Sequence, residues 1–189
     1  MVGFGPKQAW LAVGTTDPLA VVTALDGRDL GPVSWRDGVD LAYLTDDRLI
    51  VTPPLRGAGG STWTLVVGRW LLRDSAPFNL ELLSGQLHAE VQFFASYRVG
   101  ERHRWGRAVD GSLRRAFGYR GDTGEVTEWY GTPDRAELDL GLPSAADPDG
   151  DVLVSEKDVM HLAYAWSVDP TTLEGQPDAG LPRALAVAG

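Results

Sequence analysis

The chain of 189 residues contains no cysteine. That absence removes disulfides, thiolate metal sites and cysteine nucleophiles together, and it agrees with a reducing compartment without requiring one. Lysine is almost missing: 15 of the 17 basic residues are arginine, with only Lys7 and Lys157 beside them, and isoleucine occurs once, at Ile50. Abundant Arg, Ala, Gly, Val and Asp read as a GC-rich coding bias, so the arginine preference is not in itself a sign of chemistry. Long hydrophobic runs are lacking too. The longest are a handful of residues, against the roughly 20 that span a bilayer. Residues 1–8 show no positive head followed by an apolar stretch, so no signal peptide is expected. A soluble, cytoplasmic protein is expected.

The 43% of hydrophobic and 23% of charged residues are ordinary and leave enough apolar material for a sizeable core. The length fits one domain, read as residues 1–173 with a flexible tail over 174–189. The net charge of −9 is unevenly placed: residues 1–97 carry −3, residues 98–120 carry +5 and residues 121–189 carry −11. The global field repels nucleic acid, while the basic band can attract an anion locally. Alternatively the two regions face one another and neutralise.

Along the chain, residues 8–14 read as a strand. Asp17-Pro18 opens a helix to about Gly27, with the proline where a missing N–H costs nothing. Ser34 caps a second helix to about Leu44, and residues 48–52 form a strand halted by Pro53-Pro54. A Gly-rich, mobile loop over 56–61 leads into a strand over 62–72, the second half of a hairpin. Residues 77–88 are helical in pattern, with Leu80, Leu83 and Leu87 on one side. Four strand-like runs follow, at 90–99, 102–109, 112–120 and 125–130, joined by short turns. Asp110-Gly111 is the strongest of these signals, because a two-residue hairpin needs φ > 0 at both positions. Neighbouring runs with such links pair antiparallel. Asp134 caps a short helix to about Leu140, and Ser155-x-x-Asp158 starts another that runs to Trp166. The fold class is therefore α+β: an antiparallel sheet with a central four-stranded meander over about 90–130, packed against three or more helices.

Several segments together are familiar: W-L-A-V-G-T-T-D at 10–17, T-P-P at 52–54, W-T-L-V-V-G at 63–68, E-V-Q-F-F at 90–94, W-G-R-A-V-D-G at 105–111 and V-M-H-L-A-Y-A-W-S-V-D-P at 159–170. On these the chain resembles a family of small soluble bacterial proteins of unassigned function. The likeness runs to about Leu173 and implies an order of elements; no activity, cofactor or catalytic residue comes with it.

No catalytic or metal signature stands out. His88, His103 and His161 fall at no metal-ligand spacing. Asp147-x-Asp149-Gly150-Asp151 with Glu156 has a calcium-like look, but its glycine falls at the fourth position where an EF-hand loop needs the sixth, so it reads as an acidic loop. The Gly57–Thr62 segment lacks the G-K-[ST] ending of a P-loop and precedes a strand. Neither a cofactor nor a catalytic set is expected, and the balance leans away from an enzyme. Of the seven Trp, five lie in elements that bury a face, at 10, 35, 63, 70 and 166; Trp105 and Trp129 are the candidates for a surface role.

The meander is the place to look for a site. Alternation puts Arg and aromatic residues on its open side, and the binding candidates are His103, Arg104, Trp105, Arg107, Arg115 and Trp129. Neighbouring Arg102, Arg104 and Arg107 should disfavour protonation of His103. Such faces suit planar ligands or a protein hot spot, or simply arginine stems lying over rings. The function expected first is a non-enzymatic protein-binding module of the small acidic inhibitor or immunity type, its charge asymmetry orienting a basic partner. The alternative is a small enzyme or small-molecule-binding protein, with a pocket between the meander and its helices that takes an anionic ligand. Nucleic acid is the least favoured partner, and no membrane is involved.

Overall fold

The computed structural model describes residues 1–5, 7–73, 78–146 and 152–187. Among the described residues, ten strands pair throughout in antiparallel fashion. They are β1 (Ala9–Val13), β2 (Arg28–Pro32), β3 (Arg48–Val51), β4 (Leu55–Arg56), β5 (Thr62–Val67), β6 (Val91–Tyr97), β7 (Arg102–Val109), β8 (Ser112–Arg120), β9 (Glu125–Tyr130) and β10 (Arg183–Ala186). Their order across the sheet is β2-β10-β3-β5-β1-β6-β7-β8-β9, with β4 alongside β5. The α+β expectation holds, and the meander β6–β9 runs out to one edge of the sheet. Asp110 and Gly111 adopt φ of 47° and 76°, the left-handed pair that its tightest hairpin requires.

Helices cover both faces. They are α1 (Pro18–Ala24), α2 (Trp35–Leu44), α3 (Leu80–Leu87), α4 (Arg135–Asp139) and α5 (Glu156–Trp166). Each starts where a short polar side chain can satisfy orphan backbone N–H groups. Asp17 accepts from Leu19 and Ala20, Ser34 from Asp37, and Asn79 from Leu82. Asp134 and Glu137 cap α4 reciprocally, and Asp158 accepts from the Ser155 backbone N–H at 2.8 Å. α2, α4 and α5 close one face over Trp10, Phe94, Trp105 and Phe117. α1, α3 and a 3-10 turn (Arg69–Leu72) close part of the other over Leu11, Val66 and Phe93.

One row across the first face is aromatic. The register sets Trp10 against Phe94, Phe94 against Trp105, Trp105 against Phe117 and Phe117 against Trp129. Trp10 stacks on Phe94 at 5.3 Å and Trp105 on Phe117 at 4.2 Å between ring centres. Such pairs each add about 0.5–1.5 kcal/mol beyond the area they bury.

Three expectations are corrected. The run over 62–72 is not one strand. β5 stops at Val67, because Gly68 passes so close to β3 that a Cβ there would lie 2.6 Å from the Arg48 carbonyl oxygen, and the chain turns into the Arg69–Leu72 helix. The 56–61 loop is partly regular, with β4 and a 3-10 turn at Ala58–Gly60. The segment 174–189, expected as a flexible tail, carries β10, which pairs with both β2 and β3 and buries Leu185 completely. The acidic loop over 147–151 and Pro77, the expected start of α3, lie outside the described residues.

Candidate functional site

Alternation along β6–β9 sorts the candidate residues onto two faces, and only one of those faces stays open. His103, Trp105, Arg107, Arg115 and Trp129 point to the side closed by α4 and α5; Arg104 points to the other.

The closed side holds a buried, paired polar cluster. Arg115 is 2% exposed and Glu137 0%, and the Arg115 Nε donates to Glu137 Oε1 at 2.7 Å. The Trp105 Nε1–H, expected at a surface, is buried and donates to the same oxygen at 2.7 Å. Glu137 Oε2 accepts from the Asp134 backbone N–H, and Arg115 Nη1 reaches the Tyr130 carbonyl at 2.9 Å. The Arg115 guanidinium lies 4.4 Å from the centre of the half-buried Trp129 ring. Arg107 bonds Glu90 at 3.1 Å, approaches Asp134 at 3.7 Å and lies over Trp166. A buried charge is tolerated when paired and hydrogen-bonded. Arg115 is held through Nε and Nη1, while its Nη2 has no hydrogen-bond partner among the described residues, and the Arg107 side chain is about a third exposed.

His103 is 5% exposed, with Nδ1 3.3 Å from the Ser96 hydroxyl, itself fully buried. Its pKa is held below the ordinary histidine range, as expected, but for another reason. Burial is the main cause, and the charged neighbours Glu156, Glu101 and Asp158 oppose it. Adjacent strand residues point to opposite faces, so Arg102 and Arg104 turn away from the imidazole. A serine hydroxyl with no exposure cannot reach a substrate as a nucleophile, and the Ser96–His103 pair packs as part of the sheet.

The open side belongs to Arg104 and to residues that alternation alone did not single out. The register builds three rows: Tyr97, Arg102, Arg120 and Glu125; then Ala95, Arg104, Gly118 and Glu128; then Phe93, Gly106, Ala116 and Tyr130. α3 reaches over only part of this surface, and the Arg69–Leu72 turn walls it on the side of β1. Between that turn and β6–β7 lies a cleft of about 310 Å³. Arg69, Arg73, Arg102 and Arg104 line it above a floor of Leu71, Phe93 and Ala95, and Asp46 is the one acid in the lining among the described residues. The Arg69 Nε lies 3.3 Å from Asp46 Oδ1, and Arg73 Nη2 donates to the Asp46 carbonyl at 2.9 Å. Arg104 sits 5.7 Å from the Phe93 ring centre and 3.4 Å from Glu128, each of that pair over two-fifths exposed. Exposed ion pairs of this kind are worth about 0–1 kcal/mol, so these guanidinium groups can exchange a protein oxygen for a ligand oxygen at small cost. Arg69 and Arg73 stand four apart around Trp-Leu-Leu. That spacing was readable in the sequence, but the strand expected over 62–72 took in Arg69 and left Arg73 outside, so the two were not set together.

Comparison of the chain with protein-family models, with curated proteins and with solved structures finds no match in any of the three.

Proposed function

We propose that the chain is a non-catalytic binding protein and that the arginine cleft on the open side of the meander takes an anionic ligand. The observation that carries this reading is the convergence of the Arg69, Arg73 and Arg104 guanidinium groups, with Arg102 beside them, in a lining whose one acid among the described residues is Asp46, in a chain whose net charge is −9. Guanidinium groups bind carboxylate and phosphate oxygens through paired N–H donors, and an apolar floor strengthens such bonds by excluding water. The fully buried Ser96 hydroxyl, out of a substrate's reach, further supports binding over catalysis. NMR of the arginine Nε–H groups during titration with inorganic phosphate at low salt tests the reading. Saturable shifts at Arg69, Arg73 and Arg104, lost in Arg73→Gln, are expected; shifts no different from those with chloride would overturn it.

A second reading, an acidic inhibitor or immunity-type module that meets a basic protein, draws support from the −11 carried by residues 121–189 and from the exposure of Asp122, Glu125 and Glu128. Complementary charge speeds and orients such encounters. Co-elution with a basic partner should then weaken with salt and survive Arg73→Gln, whereas salt-independent failure to bind counts against it.

A further inference from the structure

Beyond the anion itself, and resting on the anion-binding reading above, we propose that the ligand is amphiphilic, a carboxylate or phosphate head on an apolar body, and that Arg104 selects it by joining the two halves of its site. The arginine cleft does not end at Phe93. A second hollow of about 240 Å³ adjoins it beneath the start of α3 and shares Arg73, Phe93 and Arg104 with it. Its walls include Phe78, Leu80, Leu113 and Ala116. Gly106 has no side chain, which lets Leu80 of α3 pack down onto β7: a Cβ there would lie 2.8 Å from Leu80 Cδ1. Phe78 meets Phe93 at 5.1 Å between ring centres, which gives the hollow an aromatic back wall.

Charge distinguishes the two halves. The first holds the arginines. The second adds Glu81, and Glu128 stands beside Arg104, so a second anionic group on the ligand would be repelled there while an apolar body would be accepted. At about 30 Å³ for a water-sized group, the second hollow has room for about eight such groups. Arg104 belongs to both halves and to a third hollow of about 460 Å³ that holds Arg102, Arg120 and Thr127. Its tie to Glu128 is exposed and weak, so the guanidinium can turn to a bound head and leave the passage over Phe93 to the ligand's body.

The test is calorimetric titration of the full chain at low salt with acetate, butanoate, hexanoate and octanoate, with octyl phosphate as the alternative head and with octanol and octylammonium as controls. Affinity is expected to rise by up to about fourfold per methylene, the gain that burying a CH₂ allows. Octanol and octylammonium should bind at least about tenfold more weakly than octanoate, the effect of losing one charge-assisted hydrogen bond or more. Octanoate or octyl phosphate binding the tighter assigns the head, and either supports the proposal. Leu113→Trp, at a half-buried position, should fill the second hollow and flatten the chain-length series while phosphate still shifts the arginine resonances. Arg104→Gln should remove most of the preference for octanoate over octanol. In the unaltered chain, phosphate-induced shifts combined with equal affinity from acetate to octanoate would overturn the amphiphile and spare the anion. An absence of any arginine shift would overturn both.

Discussion

The two faces of the meander are made by the same strands, of nearly the same residue types, and do opposite things. On one face Arg115 lies among Trp105, Phe117 and Trp129, paired with Glu137 out of water, and Arg107 pairs with Glu90 and approaches Asp134 at the partly exposed margin of that cluster. On the other, Arg102, Arg104 and Arg120 share a face with Phe93, Ala95 and Gly118, with Arg104 over the Phe93 ring, and among the described residues α3 reaches only part of it. Arginine beside an aromatic ring is thus no sign of a binding site in itself. What separates a strut from a ligand donor is whether a carboxylate already holds the guanidinium out of water. Glu137 holds Arg115 with both partners at least 97% buried in side-chain terms, while Glu128 holds Arg104 with both over two-fifths exposed.

The largest effect that can break this comparison comes from the closed face. Glu137→Ala strands the Arg115 charge, removes the Trp105 acceptor and uncaps α4, and should cost about 3–5 kcal/mol by urea denaturation. Arg104→Gln, which breaks only an exposed pair, should cost under about 1 kcal/mol in the same assay. Similar losses for the two variants would erase the distinction between the faces. Next is the far end of the sheet, where Leu185→Ala should cost about 2–5 kcal/mol because it empties a fully buried position between two strands. A change within about 0.5 kcal/mol would return residues 183–186 to the status of a tail. The smallest effect is a pH dependence. Burial lowers the His103 pKa in the folded chain, so the unfolded chain binds the proton more readily. His103's contribution is therefore complete above its unfolded value of about 6.5 and is lost as pH falls from there through the folded pKa. His103→Gln should flatten that limb of the stability profile, and an unchanged slope between pH 7 and pH 5 would show that the imidazole is not the titrating group.

Much of this architecture was legible in local signals. Asp17-Pro18, Ser34 and Asp134 announced helices because a capping side chain works within one turn of the chain, and the Asp110-Gly111 hairpin was readable because its geometry depends on two residues. Three of the meander strands, at 102–109, 112–120 and 125–130, have the ends expected of them. β2 and β10 were not legible. Arg28–Pro32 contains a glycine and a proline, which local preference does not favour in a strand, and Arg183–Ala186 is alanine-rich with no β-branched residue. Both are strands because they lie against one another and, through β10, against β3, which supplies hydrogen bonds that no local preference would. Of the candidate site, Arg104 was found. Arg69, Arg73, Arg102 and the Phe93 floor were not, since what unites them is a close approach of chain segments about 30 residues apart.

By itself the sequence determined the alternation that divides arginines 102, 104 and 120 from arginines 107 and 115, because side chains on a strand must point to opposite faces whatever packs on them. Which of those faces would be covered was decided only by the tertiary structure. Glu137 and Trp166 come from segments some 20 to 60 residues further along, and their helices could close one side of the sheet only by leaving the other side to water.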